Sequence, residues 1–360
     1  MITTEFDYRR AASLDEAIAA LQETDGKLLA GGHSIIPLMK LRLSEPGTLV
    51  DIGRIPDLKG VREREGKIGI GAGTTHHDVA NSELLREKAP VVADVAGEIG
   101  DPQVRNRGTL GGSLAHADPA ADYPAVMLAL DAEIHIKGGN GWRSVKASDF
   151  FQDMMTVDLA EDEVIVSAQF DPIQTASYAK LHQRASHYAI VGVCAALGIE
   201  NGLIQWARIG LTGATGVATR LAAVEERLTG KQPEQSTIDD AAGIAGDDID
   251  EDDLNADIHA SPAYRRAMIK VFTRRALEGA VARQVRASPR SHDARRGPVT
   301  APPFCACGRT YSRGRRGRLR WPGTRGRCRR RSRGAGTRLP GGRGGRIRPA
   351  HRRCPACRRR

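Results

Sequence analysis

Residues 1–286 contain one cysteine, Cys194, and the other five of the chain's 6 lie beyond them. A single thiol can build neither a disulfide framework nor a Cys-ligated iron–sulfur cluster, so any cluster exchanging electrons with this part must sit on another chain. Aromatic residues make up only 4% of the sequence. No apolar run reaches the roughly eighteen residues that span a bilayer, and no signal peptide opens the chain, which points to a cytoplasmic protein. The histidines form no metal-binding set, because His76 and His77 are adjacent and His116 stands alone. Neither a Gly-x-Gly-x-x-Gly fingerprint nor a Gly-x-x-x-x-Gly-Lys loop occurs; Gly69-Ile70-Gly71-Ala72-Gly73 fails at its third spacing and reads as a glycine-rich strand running into a turn.

Acidic residues are equally scarce at the other end. From Ala287 to Arg360 there are 24 Arg, no Lys and one acid, Asp293, so this segment carries +23 and the net +11 of the whole leaves −12 for the preceding part. The basic character therefore belongs to the tail, and the body is acidic.

What the body does have is two glycine motifs, Ala30-Gly31-Gly32-His33-Ser34 and Thr109-Leu110-Gly111-Gly112-Ser113. The first follows the apolar run Lys27–Ala30 and precedes an apolar-spaced segment, Ile35 to Leu43, in the order strand, glycine turn, helix start. Glycine lets a backbone take positive φ and approach a ligand with no Cβ in the way, so that successive N–H groups converge on an anion. A helix that follows adds the positive end of its dipole. Two such turns can share one pyrophosphate, as a dinucleotide cofactor requires.

Helices are expected over Ser13–Glu23, capped by Ser13, over Thr75–Lys88, over Pro90–Ile99, from Asp118-Pro119 through Leu130, over Ala218–Thr229, and over Pro262–Arg283 with Ala267, Val271 and Leu277 on its apolar face. Strands are expected at Leu49–Ile52, Val61–Arg64, Lys67–Ile70, Ala132–Lys137, Trp142–Val145, Glu163–Phe170, Ala176–Gln183, Ala189–Ile199 and Ile204–Thr212. The acidic stretch Asp247–Asp253 reads as a solvated loop, since it lacks calcium-loop spacing and a closing Glu.

The stretches Ala30–Leu43, Gly71-Ala-Gly-Thr-Thr-His76 and Asn106–Asp122 resemble the FAD-binding medium subunits of molybdenum hydroxylases, the family of the aerobic carbon monoxide dehydrogenase medium subunits and the xanthine dehydrogenase FAD-binding subunits. The resemblance runs from about Thr4 to about Arg286. It implies an α+β fold of the vanillyl alcohol oxidase (PCMH) type, with FAD-binding subdomains at 1–57 and 58–173, followed by a C-terminal α/β domain of the CO dehydrogenase flavoprotein type at 174–286. FAD would then be the cofactor. Ala30, Gly31, Gly32, His33 and Ser34 would face one side of its pyrophosphate and Thr109, Leu110, Gly111, Gly112 and Ser113 the other. Asp122 would accept hydrogen bonds near the ribityl chain or serve as an N-terminal helix charge. Tyr188 would stand against the isoalloxazine or pack as a strand residue, and Lys180 would approach the cofactor or remain solvated. No catalytic residue and no metal ligand is assigned to this chain.

The same resemblance implies partners. A large molybdopterin subunit would oxidise substrate, a small subunit with two [2Fe-2S] clusters would carry electrons to FAD, and an external acceptor such as a quinone would collect them. The complex is expected to be a dimer of heterotrimers, with association at the inner face of the membrane through that complex. A stand-alone FAD oxidase or dehydrogenase of the same fold is the alternative within flavoenzymes. Outside them, an Arg/Gly-rich tail is a candidate polyanion binder, although nucleic acid is not the expected partner. Zinc at Cys305-Ala306-Cys307 and Cys354-Pro355-Ala356-Cys357 lacks a local folded framework.

Arg without Lys, mixed with Gly, Pro and Cys and devoid of apolar periodicity, is the composition a GC-rich gene yields when read out of frame. A frameshift near Arg286 is therefore expected, with residues 287–360 an accidental extension. Resequencing the gene and mapping cellular peptides should find a frame break and no tail peptides; a continuous frame with tail peptides present would refute this.

Overall fold

The computed structural model describes residues 2–287, so the readings of the tail as a frameshift product, a polyanion binder or a zinc site lie outside the described residues. The chain opens with strand β1 (Asp7–Arg10), helix α1 (Leu14–Glu23), β2 (Gly26–Leu29), α2 (Ile35–Lys40) and β3 (Thr48–Asp51). The three strands form a parallel sheet in the order β1-β3-β2. Helix α1 begins where expected: Ser13 caps it by accepting from the Glu16 amide at 3.2 Å, while Glu16 reaches back to the Ala12 amide at 2.7 Å. Its Leu14, Ala17, Ile18 and Leu21 join Val50, Ile52 and Ile55 in a small apolar core.

The next strands are β4 (Val61–Arg64) and β5 (Lys67–Gly71), followed by six helices: α3 (His76–Asn81), α4 (Glu83–Lys88), α5 (Pro90–Glu98), α6 (Pro102–Arg105), α7 (Leu110–His116) and α8 (Asp122–Ala129). Then come β6 (Glu133–Gly138), β7 (Gly141–Lys146), α9 (Ala147–Phe150), the short strands β8 (Phe151–Asp153) and β9 (Thr156–Val157), and β10 (Val164–Phe170). Five of these strands make an antiparallel sheet in the order β4-β5-β10-β6-β7, while β8 and β9 pair as a separate hairpin. The expected helix over 75–88 is two helices, because Ser82 is extended and caps α4 by accepting from the Leu85 amide at 3.3 Å.

The last unit contains β11 (Ala176–His182), β12 (Ala189–Glu200), β13 (Leu203–Thr212), β14 (Thr219–Arg220), α10 (Ala222–Leu228), α11 (Gln235–Gly243) and α12 (Pro262–Ala287). Its four strands form an antiparallel sheet in chain order. Residues 219 and 220, expected to be helical, extend this sheet, and Arg220 then holds Glu225 through both carboxylate oxygens to start α10.

Strand β12 is buried on both faces, so it reads as a continuous apolar run. Val191, Val193, Ala195 and Leu197 pack in the core beneath α10–α12, whereas Cys194 and Ala196 belong to the core shared with α8. Helix α8 is buried on every side, which explains its uniformly apolar sequence after Asp122. It approaches β13 closely enough that a Cβ at Gly210 would lie 2.0 Å from the Ala125 carbonyl oxygen.

The helix expected from Asp118 begins only at Asp122. Asp118 instead turns the chain, accepting from the Ala120 amide at 2.8 Å, and the intervening carbonyls serve the third sheet. Thr212 Oγ1 donates to Pro119 O and Ala121 O at 2.9 and 2.7 Å, Gly213 N to Pro119 O at 2.8 Å, and Ala189 N to Ala120 O at 3.2 Å. The 118–121 segment is thus held as a turn by contacts to another element rather than continued as a helix.

Helix α12 also departs from its expected face: Leu277 is buried, but Ala267 and Val271 are exposed, and the packed stripe is Ile269, Phe272, Ala276, Leu277 and Ala280. Arg265, a charged residue on the same helix, is only 3% exposed. It donates to Ile190 O at 2.5 Å, to Gly213 O at 2.8 Å and to Asp257 at 2.6 Å, and so staples the helix to the ends of two strands. Among the described residues no helix is long and apolar enough to cross a membrane. Arg265→Met removes the side-chain donor to Ile190 O, one of the two donors to Gly213 O, and the ion pair with Asp257, and should lower unfolding free energy by about 2–4 kcal/mol, measured as a shift in the urea midpoint against wild type.

Candidate cofactor site

A cavity of about 760 Å³ is lined by both glycine motifs, by the start of α8 and by the loop preceding β12. The first motif connects β2 to α2. Gly32 has φ +79°, the left-handed region, and the amides of Gly31, Gly32, His33 and Ser34 have no protein acceptor. Amides without acceptors on a strand-to-helix turn that lines a cavity make this motif a candidate anion site. Gly31 is fixed by a different constraint: a Cβ there would stand 2.2 Å from Arg107 O and 2.9 Å from Gly108 Cα. The first motif therefore touches the segment that leads into the second.

The second motif is not a turn. Thr109 caps α7, accepting from Gly112 N at 3.1 Å, and Gly111 and Gly112 occupy its first turn. Leu110 N donates to Thr74 O, Gly111 N to Ala72 O and Ser113 N to Thr109 O, all at 2.8–3.1 Å. These amides already have acceptors, so the expectation that both motifs offer equivalent N–H cradles is corrected: this one presents the Ser113 hydroxyl and the end of a helix. Gly111 is required by packing, since its Cβ would lie 2.4 Å from that of Ala72. The Gly71–His76 segment is what holds the motif in place, with His76 N donating to Gly108 O at 2.9 Å and Thr75 bridging Thr109.

Comparison with known proteins accords with this arrangement. Residues 4–170 match the FAD binding domain in molybdopterin dehydrogenase, and residues 176–280 match the CO dehydrogenase flavoprotein C-terminal domain. The chain is 36% identical over 288 residues to the carbon monoxide dehydrogenase medium chain of Hydrogenophaga pseudoflava, covering 79% of this chain and 99% of that protein. It belongs to the FAD-binding medium subunits of the molybdenum hydroxylases. The nicotine 6-hydroxylase medium subunit of Paenarthrobacter nicotinovorans is 33% identical, covering 77% of this chain and 97% of its own length. Among solved structures, carbon monoxide dehydrogenase from Hydrogenophaga pseudoflava aligns with a TM-score of 0.75 and 37% identity, covering 79% of this chain and 99% of that one. Quinoline 2-oxidoreductase from Pseudomonas putida aligns with a TM-score of 0.72 and 33% identity, over 79% and 99% respectively. This medium subunit is thus part of an FAD-dependent oxidoreductase with the expected fold.

Of the residues singled out in the sequence, Ala30, Gly31, Gly32, His33, Ser34, Thr109, Gly111, Gly112, Ser113, Asp122 and Tyr188 line the cavity. Leu110 does not; its side chain is fully buried in the core. Lys180 does not either, and it is not solvated: it is buried behind Asp122, 2.9 Å from Oδ2. Tyr188 stands half-exposed at the rim on a loop organised by Gln183, whose Oε1 accepts from Ala185 N, Ser186 N and Ser186 Oγ at 2.5–2.9 Å. Gln183 carries no sequence signal for this role, and neither does the β8–β9 hairpin, whose Met155, Thr156 and Val157 form a wall.

His76 also lines the cavity although no role was assigned to it. Its ring is 5% exposed, sits 5.4 Å from the Tyr123 ring and crowds Gly108, where a Cβ would lie 2.6 Å from Nε2. Burial, with His33 and Arg105 nearby, pushes the imidazole down to about 4 from 6.5, so it is neutral at physiological pH. Because the unfolded chain takes up this proton first, stability falls as pH drops from about 6.5 toward about 4, by roughly 3 kcal/mol from this group. Urea midpoints between pH 7 and 4.5 should fall less steeply in His76→Gln than in wild type.

Proposed function

We propose that this medium subunit holds FAD in the cavity between the glycine motifs, accepts electrons from the [2Fe-2S] clusters of a small partner subunit, and passes them to an external acceptor such as a quinone. The observation that carries this reading is that Gly31 to Ser34, whose four amides have no protein acceptor, line a cavity of dinucleotide size. FAD supplies the two-electron redox chemistry, and the protein binds and orients it.

The residues present fit that cofactor. The Gly31–Ser34 amides meet a pyrophosphate with dipoles and no obligatory ion pair, and the hydroxyls of Ser34 and Ser113 lie on the cavity surface to donate further. Asp122 offers acceptor oxygens for hydroxyl groups, while Tyr188 gives an aromatic surface at the rim. The ring of His76 closes the floor as a neutral group, which keeps an additional charge out of the site. Substrate selection belongs to a large molybdopterin subunit, with the whole assembled as a dimer of heterotrimers; relatives named for carbon monoxide, glyceraldehyde and nicotine share this chain's architecture, consistent with chemistry decided elsewhere.

The purified chain, incubated with FAD and freed of excess, should retain flavin absorption, with free FAD released on denaturation. Gly32→Val places a Cβ-branched residue at φ +79° and turns the amides away from one another. Loss of even one charge-assisted hydrogen bond of about 1.5–3 kcal/mol should weaken FAD binding by about tenfold or more, read by titration of FAD fluorescence, with an unchanged circular dichroism spectrum. A folded wild-type chain that binds no FAD would reject the reading.

A further inference from the structure

Asp122 is the first residue of α8 and lines the cavity, yet both its oxygens are held from behind by one strand. Tyr178 Oη donates to Oδ1 at 2.5 Å and Lys180 Nζ to Oδ2 at 2.9 Å. The donors are two apart on β11 and so leave the same face of the sheet. Space for the phenol is made by Gly192 on β12, where a Cβ would fall 2.2 Å from the Tyr178 hydroxyl oxygen. The Lys180 side chain is completely buried, and its ammonium also lies 3.4 Å from Glu98 O of α5. The ammonium is shielded from solvent and ion-paired with Asp122, and it also acts on the nearby Glu98 carboxyl.

From this geometry we infer that Tyr178 and Lys180 are positioning residues that keep the Asp122 carboxylate ionised and aimed into the cavity, so that it presents only acceptor lone pairs to a hydroxyl-bearing part of the cofactor. A carboxylate oxygen has two lone pairs, so one donor on each leaves one on each for the cavity. The inference rests on the FAD reading above. Burial pushes the Asp122 carboxyl upward, and the Lys180 ammonium and the Tyr178 hydroxyl oppose that rise without cancelling it. Take away Lys180 and burial acts with less opposition: the carboxyl takes a proton and becomes a donor where the hydroxyls also need to donate.

Other groups facing Asp122 are His182 on β11, Glu98 on α5, Tyr188 before β12, and Tyr123 on α8 itself, with Cys194 of β12 beside Tyr178. Of these His182 titrates nearest neutrality, and burial lowers it. Comparisons are therefore made in a His182→Gln background, which removes that imidazole's own contribution.

The experiment is FAD affinity of the full chain from pH 6 to 9, by fluorescence titration, with circular dichroism at each pH. The parent should bind with little pH dependence. Lys180→Met should bind more weakly at low pH and regain affinity as pH rises, by up to about tenfold per pH unit, and Lys180→Arg, which keeps the charge, should restore the flat profile. Tyr178→Phe should weaken binding at least threefold at pH 7. The double variant Asp122→Asn with Lys180→Met has no buried charge to compensate, so it should fold even where Lys180→Met does not, and bind weakly with a flat profile. A folded Lys180→Met with parental affinity and a flat profile would overturn the inference, as would parental affinity in the double variant. Those outcomes, with FAD binding by the parent intact, leave the cofactor reading standing; absence of binding in the parent would instead defeat that reading.

Discussion

The contact on which the site depends is a backbone meeting a backbone. Gly31 lies against Arg107 and Gly108 with no room for a single added carbon, and Gly108 in turn is pressed by the ring of His76. Close approach of this kind brings together two segments separated by some seventy-five residues of chain, and it is available only where side chains are missing. The positive φ of Gly32 turns the chain there, and His33 and Ser34 that follow line the cavity. Packing density leaves little slack around such a junction, so shifts at one motif are felt at the other.

Around that junction, polar groups are divided by what they have already spent. The amides of the first motif are unspent, whereas those of the second secure α7 to the Ala72–Thr75 segment. Asp122 stands between these cases, its carboxylate tied to β11 and still exposed to the cavity. The 118–122 segment ties the third sheet to the cofactor-binding half, because its carbonyls accept from Thr212, Gly213 and Ala189. The last unit thus supplies both a rim, through Tyr188, and a buried charge, through Lys180.

Much of the fold was legible because the sequence obeys simple periodicities. Alternating or continuous apolar patterns marked β11, β12 and β13, and Ser13 marked the start of α1. The failures share a cause. At Asp118-Pro119 a good local helix start gives way to a turn held by contacts to another sheet, and at Thr109–Ser113 a Gly-Gly pair that reads as a turn is helical because Thr109 caps it and Ala72 leaves no room for a side chain. Nor can composition show that Arg265 is buried, since the Ile190 and Gly213 carbonyls that hold it are distant in the chain.

The sequence by itself determined that the body is acidic and poor in thiols, that two glycine motifs flank its apolar segments, and that the chain resembles FAD-binding medium subunits, because composition, spacing and glycine content are local properties. Only the tertiary structure decided which amides remain free, that Lys180 is buried behind Asp122, that Leu110 faces the core, and that Gln183 and the β8–β9 hairpin shape the cavity. Those facts depend on which groups already have partners. A hydrogen bond satisfied across ninety residues removes a donor from the site as surely as a mutation would, and no local pattern records it.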